Sequence, residues 1–480
     1  MNLHWHRRDL RVADNRALAE ATAGGESVLP VFVFDPEILA RASPPRVAFL
    51  LDALESLRAD YRASGGDLLL VRGDPRDELP RIADEYDVDA VYWNRDYSGL
   101  ARERDSEVRL ALDDAGVSRA AYHDALHHEP GSIRTNEGEH YSVFTYFWKK
   151  WRDREKDAPY DPPASETVVD AESVADADLP GDSTIPTLAD LGFEEPEADV
   201  PPAGTDVARD RLREFCDDIF RYAEDRDYPA KDATSRLSVH LKWGTVGIRE
   251  VWEATEEAAA RADGDPDDEG SEAASVREFR SQLAWREFYA HVLSARPDVV
   301  SRNYKSYEND VEWREDPEAL RAWKEGRTGY PIVDAAMRQL RAEAWMHNRL
   351  RMVVASFLTK DLLLDWREGY EWFRERLADH DTANDTGGWQ WAASTGTDAQ
   401  PYFRVFNPTT QGERYDPDAE FVREYVPELR DASPDEIHGW TELTDAERER
   451  VAPGYPAPIV DHAERREEAI AMFERARGDE

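Results

Sequence analysis

Along the first 125 residues, short apolar runs alternate with longer stretches in which apolar positions recur every three or four residues. The short runs, at 2–6, 28–34, 67–71, 90–93 and 120–123, are of strand length and carry β-branched or aromatic side chains. They predict strands, and the periodic stretches near 15–22, 46–64, 77–86 and 101–115 predict helices. Such alternation indicates a parallel sheet covered by helices on both faces, an α/β doubly wound domain over residues 1–130. Beyond about residue 207 the strand pattern stops. Helical periodicity over 207–225, 276–293, 317–324, 332–341, 343–366 and 370–377 predicts an all-α domain from 207 to 480. The joining segment is 131–206, and its part 157–206 holds 14 acidic residues, eight prolines and no Lys or Arg. That composition cannot build a core and reads as a long surface linker, with a short helix at 188–191. A second acidic stretch, 263–273, predicts a solvated loop. No internal repeat is visible.

Charge changes the picture. The chain carries 102 acidic against 60 basic residues, a formal net charge of −42. Most of this is a solvated surface. So acidic a balance discourages nucleic-acid binding in dilute salt, and it resembles the composition of proteins from salt-loving organisms. In molar salt the Debye length falls to about 3 Å, so global repulsion from a polyanion fades. The gain from phosphate contacts shrinks too, leaving shape, stacking and base contacts to supply affinity. The surplus is uneven: residues 330–414 hold 10 basic and 12 acidic residues, a net of −2, where the chain average gives about −7 for 85 positions.

Several classes are excluded. No run of 18 apolar residues occurs, so no membrane-spanning helix is expected, and residues 1–10 lack a signal-peptide core. The single cysteine, Cys216, excludes an intramolecular disulfide and a multi-cysteine metal cluster. A cytoplasmic monomer is the default. No metal-ligand spacing, hydrolytic triad, dinucleotide glycine fingerprint or triphosphate loop is present.

Four constellations carry candidate chemistry. Thr234, Ser235, Arg236, Leu237 and Ser238 gather hydroxyls at a predicted helix start, which suits a phosphate-rich ligand or an ordinary helix cap. Gln282, Trp285 and Tyr289 share one helical face. A Gln beside a Trp reads a flat base by amide and stack, or the Trp is simply core. In the stretch from Trp345 to Met352, Trp345, Asn348, Arg349 and Met352 share a face, while Arg351 projects about 200° from Arg349. One helix then touches two ligands, or it is a basic helix end. Finally, Asp379, His380, Asp381 and Asp385 precede Gly387, Gly388, Trp389 and Trp391. Paired glycines suggest close backbone approach to a flat ligand, or a plain turn.

Six stretches in order resemble the cryptochrome/photolyase family: 234–238 (TSRLS), 285–289 (WREFY), 328–339 (TGYPIVDAAMRQ), 345–352 (WMHNRLRM), 387–397 (GGWQWAASTGT) and 406–412 (FNPTTQG). The opening His4-Trp5-His6-Arg7-Arg8-Asp9-Leu10-Arg11 is similar as well. The resemblance runs from residue 2 to about 465, weak only across the linker and the acidic insert, and the microbial cyclobutane pyrimidine dimer photolyases look most alike. It implies an α/β antenna domain, a linker and a helical domain holding U-shaped FAD. By resemblance, Tyr222 and residues 234–238 contact the flavin phosphates. Arg351 and Asp379 sit at the flavin ring, with His380 and Asp381 beside them. Gln282, Trp285, Tyr289, Asn348, Arg349, Met352 and Trp391 form a pocket for a flipped dimer. Arg226 and Gln411 contact DNA at its rim, and Trp389, Trp366 and Trp313 form an electron relay, placed in that order from flavin to surface. The implied reaction is light-driven electron transfer from reduced FAD (FADH⁻) to a pyrimidine dimer extruded from ultraviolet-damaged DNA, with the hard chemistry left to the cofactor.

Two residues depart from the family pattern. Gln282 stands where dimer-repair members often carry Glu, and it keeps hydrogen bonding without the charge. Asp385 stands where photolyases usually place Asn before the flavin N5; plant cryptochromes resemble this choice. Lys242, Arg46 and Asp96 resemble contacts of members with an 8-hydroxy-5-deazaflavin antenna; a folate, or no antenna, is the alternative. A (6-4) photolyase is expected to show a His pair near the pocket, where this chain has only His347. A cryptochrome-type blue-light photoreceptor is favoured by Asp385 and disfavoured by the lack of a long tail after the family core.

Overall fold

The computed structural model describes residues 1–170 and 185–479. Five strands, β1 (Asn2–His6), β2 (Val28–Phe34), β3 (Leu69–Arg72), β4 (Ala90–Asn94) and β5 (Ser118–Tyr122), form one parallel sheet in the order β3-β2-β1-β4-β5. β1 and β2 are buried along their whole length, as a sheet covered on both faces requires. The period of two sorts β2 cleanly: Leu29, Val31 and Val33 enter one core with Leu3, Trp5 and Val108, while Val28, Phe32 and Phe34 enter the other with Leu54 and Leu57. Helices Arg16–Ala21, Pro44–Ala63, Pro75–Glu85 and Gly99–Asp114 lie where periodicity placed them.

β3 begins two residues later than predicted because Asp67 is drawn into Arg58 (2.6 Å) and its neighbour's amide (2.8 Å) before pairing starts. β5 begins two residues earlier because Ser118 and Arg119 pair with β4 while exposed, leaving no apolar trace.

The linker is more structured than its composition suggests. Val168 pairs with Val28 and is buried with Leu188 and Leu191 against the α/β core. The predicted short helix is a 3-10 turn, Ala189–Leu191; residues 171–184 of the linker lie outside the described residues. Helix Phe144–Asp153, not anticipated, buries Phe144, Phe147 and Trp151 among Phe215, Phe279 and Phe288.

The helical region includes Thr205–Asp218, Glu272–Ala295, Pro317–Glu325, Pro331–Glu343, Asn348–Ser356, Trp366–Arg376, Thr382–Ala392 and Pro408–Tyr415. The single helix predicted over 343–366 is in fact broken twice. Ala344 adopts φ 50°, and the next helix starts only at Asn348, where His347 caps it by accepting from the Arg349 amide at 3.2 Å. Leu363 adopts φ 58° after a π turn, Phe357–Asp361. Neither break carries Gly or Pro, so neither was visible in the sequence.

The two regions are locked together by buried charge. Arg11 and Arg249 are ion-paired to Asp124, and Arg249 also to Asp14, all with side chains at most 4% exposed. Beside them Gly244 ends helix Ser238–Trp243 at φ 69°, where a Cβ would stand 2.2 Å from the Arg8 carbonyl oxygen. Only glycine combines that conformation with that approach.

Candidate functional site

Residues 234–238 form the loop entering helix Ser238–Trp243. Arg236 sits at φ 50° and Leu237 is buried. Arg211 takes the carbonyls of Thr234 (2.6 Å) and Ser235 (3.0 Å), and the Leu237 amide donates to the Ser235 hydroxyl at 3.3 Å. The indole of Trp345 donates to Ser238 Oγ at 3.3 Å, and Arg236 lies over its ring at 4.4 Å. Trp345 therefore does not share a helical face with Asn348, as the sequence suggested: the break at Ala344 turns it toward this loop. Tyr222 is buried between Phe215 and Phe279, covered by Arg226 at 5.3 Å.

Helix Asn348–Ser356 looks two ways, as its spacing predicted. Arg349 reaches Asp227 (2.5 Å) and the Tyr415 ring (4.3 Å), and Asn348 stays exposed near Met352. Arg351 points away from them to Asp379, at 2.7 Å, and lies 3.8 Å from Asp385. The other Asp379 oxygen is buried with no hydrogen-bond partner among the described residues. His380 Nδ1 meets Asp385 at 2.6 Å. Burial holds the His380 imidazole below its ordinary value despite that carboxylate.

Asp381 caps helix Thr382–Ala392 and accepts from Arg8 of the α/β region at 2.7 Å. Burial works to raise its carboxyl, but Arg8, Lys242 and Arg286 outweigh it and hold Asp381 well below the carboxylate range. Gly387 and Gly388 lie within this helix rather than in a turn. A Cβ on Gly387 would strike the Tyr289 ring at 2.2 Å, while Gly388 opens on free space.

On helix Glu272–Ala295, Trp285 stacks on Phe144 with ring centres 3.8 Å apart and lies 5.5 Å from Tyr289. Gln282 donates its amide to Glu278 at 2.9 Å; Glu278 also pairs with Arg226. Sequence reasoning missed Glu278 and Phe144. The i, i+4 spacing to Gln282 was a signal for the first; a helix inside an apparent linker hid the second. Trp391 packs near Phe406 at 6.4 Å, and the Gln411 side-chain oxygen is buried without a partner among the described residues.

Trp389 and Trp366 are buried, and Trp313 is partly exposed against Phe473. Gly369 brings helix Trp366–Arg376 onto Trp389: a Cβ there would stand 2.0 Å from the indole. The Arg314 amide donates to the Leu363 carbonyl at 2.8 Å, which ties the segment of Trp313 to that of Trp366.

Between the two regions runs a cleft lined by Arg7, Arg8, Arg95, Asp96, Arg286 and Asp381, among others. Asp96 accepts from Arg8 at 3.1 Å. Lys242 is pushed down to about 7 by burial and by Arg8, against the pull of Asp381 and Asp96. Arg46 is pushed down to about 10 by burial and Arg374, and Asp385 pulls the other way. Among the described residues no helix is long and apolar enough to cross a membrane.

Comparison with known proteins bears on this arrangement. The family profile described as DNA photolyase matches residues 2–166, and that described as FAD binding domain of DNA photolyase matches residues 279–475. The chain is 62% identical to the deoxyribodipyrimidine photo-lyase of Halobacterium salinarum, over 100% of both chains. It resembles the crystal structure of an archaeal photolyase from Sulfolobus tokodaii with two FAD molecules (TM-score 0.83, 31% identity, 99% of this chain and 100% of that one). It also resembles the cryptochrome of Synechocystis sp. PCC6803 (TM-score 0.88, 25% identity, 98% and 99%). With both profiles matched and so high an identity over the full length, the chain belongs to the DNA photolyase family.

Proposed function

We propose that this chain is a light-dependent DNA-repair enzyme that splits cyclobutane pyrimidine dimers, using FAD and working on chromosomal DNA inside the cell. The observation that carries this reading is the double aspect of helix Asn348–Ser356. Asn348 and Arg349 face one side and Arg351, paired with buried Asp379, faces the other. A lesion pocket and a cofactor pocket then share one wall.

The residues fit a flavin dinucleotide. One Asp379 oxygen is a buried acceptor with no hydrogen-bond partner among the described residues, and Gly388 opens on free space. The left-handed turn at Arg236 gathers backbone amides and the Thr234, Ser235 and Ser238 hydroxyls in one loop that suits phosphate, with Tyr222 and Leu237 buried nearby. When bound, reduced FAD supplies, on excitation, the electron that opens the dimer and receives it back. The protein's part is to bind and orient. Trp285 and Trp391 stack the extruded dimer, Tyr289 supports them, and Gln282 spends its amide on Glu278 and keeps its carbonyl for a base edge. Asn348, Arg349 and Met352 close the pocket, Arg226 and Gln411 stand at its rim, and Asp379, His380, Asp381 and Asp385 surround the flavin with Arg351. Trp389, Trp366 and Trp313 carry electrons inward from the surface.

Arg46, Asp96 and Lys242 support a second chromophore of the 8-hydroxy-5-deazaflavin type near the interdomain cleft, with a folate as the alternative. Denaturing the purified protein and identifying the released chromophores by mass decides this. Asp385, hydrogen-bonded to His380, favours a second reading as a cryptochrome-type photoreceptor.

One experiment separates the two. The reduced protein is mixed with a thymine-dimer oligonucleotide in high salt and illuminated, and base absorbance is followed against a dark control. Light-dependent recovery is expected. No recovery from protein that holds photoreducible FAD would overturn the repair reading in favour of the photoreceptor.

A further inference from the structure

Helix Phe144–Asp153 lies in a stretch that reads as linker, yet it abuts the proposed lesion pocket. Phe144 stacks on Trp285 at 3.8 Å with ring planes 12° apart. The Phe144 amide donates to the Asp398 carboxylate at 3.2 Å, and the Asp398 amide donates to the Ser142 carbonyl at 3.0 Å. Asp398 belongs to the loop that follows Trp391. The start of the helix is therefore clasped between two sides of the pocket.

Its buried face is Phe144, Phe147 and Trp151. The opposite face is turned to solvent: Tyr146 is 59% exposed and Lys149 is exposed beside it. Residues 144–154 hold Lys149, Lys150, Arg152 and Arg154 against Asp153, a net of +3 in a chain of −42. The other three cations are engaged locally. Lys150 donates to the Arg134 carbonyl at 2.8 Å, Arg152 pairs with Asp153 at 3.1 Å, and Arg154 donates to the Ser132 carbonyl at 2.8 Å. Lys149 has no ion-pair partner among the described residues; its ammonium lies 6.0 Å from the centre of the Tyr146 ring.

We propose that this helix extends the DNA interface, its exposed face receiving the backbone of the strand that flanks the lesion, with Lys149 neutralising one phosphate. The inference rests on the reading of Trp285 as a pocket wall. Two features select DNA as the occupant. The face is locally cationic where the rest of the chain is anionic, and the helix that carries it abuts the pocket wall through Phe144 on its other side. Lys149 lies five residues from Phe144, about 7.5 Å of helix rise, or roughly two nucleotide steps of about 3.4 Å along one strand. Tyr146 supplies an exposed aromatic surface between them.

The test is the salt dependence of binding in the dark. Each phosphate neutralised adds about 0.9 to the slope of log affinity against log salt on duplex DNA. Affinity for a dimer-containing duplex is measured by fluorescence anisotropy over a salt series for the wild-type protein, Lys149→Ala and Lys149→Arg. The alanine variant is expected to lose about one unit of slope, equally on lesion-containing and intact duplexes, and the arginine variant to keep it. An alanine variant with the wild-type slope overturns the proposal. Lysine 149 is exposed, so folding of the variants is not at issue. If the wild-type protein does not prefer lesion-containing over intact duplex, the pocket reading fails, and the slopes still report on Lys149.

Discussion

Trp285→Ala perturbs the proposed lesion pocket at one side chain. Trp285 is half-buried, with one face covered by Phe144 at 3.8 Å and its edge toward Phe288 at 5.5 Å. Its remaining surface is what an extruded dimer would stack on. Loss of one aromatic platform costs about 1–3 kcal/mol per base, so affinity for a dimer-containing oligonucleotide should fall by about 5- to 150-fold. The truncation also strips the Phe144 face. A fully buried Trp→Ala change costs about 3–5 kcal/mol; half-burial brings this to roughly 2 kcal/mol, a Tm loss of a few degrees. The variant thus stays folded at 25 °C. Dark affinity for lesion-containing and intact DNA would be measured by anisotropy, and FAD content from the flavin-to-protein absorbance ratio. Weaker lesion binding with unchanged FAD content is expected, and Trp285→Phe, which preserves a stack on Phe144, should recover most of the loss. Unchanged lesion affinity in a folded, FAD-loaded Trp285→Ala protein would falsify the pocket assignment.

Other consequences concern the relay, the domain joint and pH. In Gly369→Ala the new methyl meets Trp389 at 2.0 Å, so a stability loss of about 1–3 kcal/mol and slower photoreduction of bound FAD are expected, read by thermal melts and by illumination with an external donor. Arg249→Met leaves Asp14 and part of Asp124 buried without their partner, and denaturant titration should show a loss of about 3–5 kcal/mol. Burial pushes His4, His123, His128, His240, His291 and His347 down to about 4 from the ordinary 6.5. Between those values the unfolded chain binds protons that the folded one does not. The contribution of these rings is therefore complete above about pH 6.5 and lost progressively as pH falls toward 4. Burial raises Glu287 to about 7 and Asp361 to about 6, which works the other way but is two groups against six, so a Tm flat across that window would contradict the burial of these rings.

The sequence carried the architecture because each element of the α/β region buries a regular face. β2 alternates between two cores, and its seven residues announce both. The site was legible where chemistry is local. The roughly 200° between Arg349 and Arg351 is a property of any helix, and it sends them to Asp227 and Asp379. What stayed hidden was set by distant contacts. Ala344 and Leu363 take left-handed conformations without Gly or Asn to mark them, held by surrounding packing. Helix Phe144–Asp153 is amphipathic at the right spacing, but acidic, proline-rich sequence follows it and made the region read as linker. The paired glycines, expected in a turn, are helical because one of them serves a neighbour: Gly387 makes room for Tyr289.

An acidic chain that binds DNA faces opposing demands, and the distribution of charge meets both. A net charge of −42 repels intact duplex everywhere except where it is locally relieved, which suppresses the non-specific binding that phosphate contacts supply. Relief occurs in the nearly neutral stretch 330–414 and in the cationic residues 144–154, among others, and Phe144 stacked on Trp285 together with the Asp398 clasp joins the latter to the proposed pocket. Attraction would thereby be concentrated around the proposed pocket, which takes two adjacent bases extruded from one strand. A dimer stacks poorly and costs less to extrude, so under the proposed reading the lesion would gain both the stack on Trp285 and the local cations, while intact DNA would meet the cations alone. Raising salt weakens the second contribution and spares the first. Discrimination between damaged and intact DNA should therefore persist, or increase, at salt concentrations where overall affinity falls.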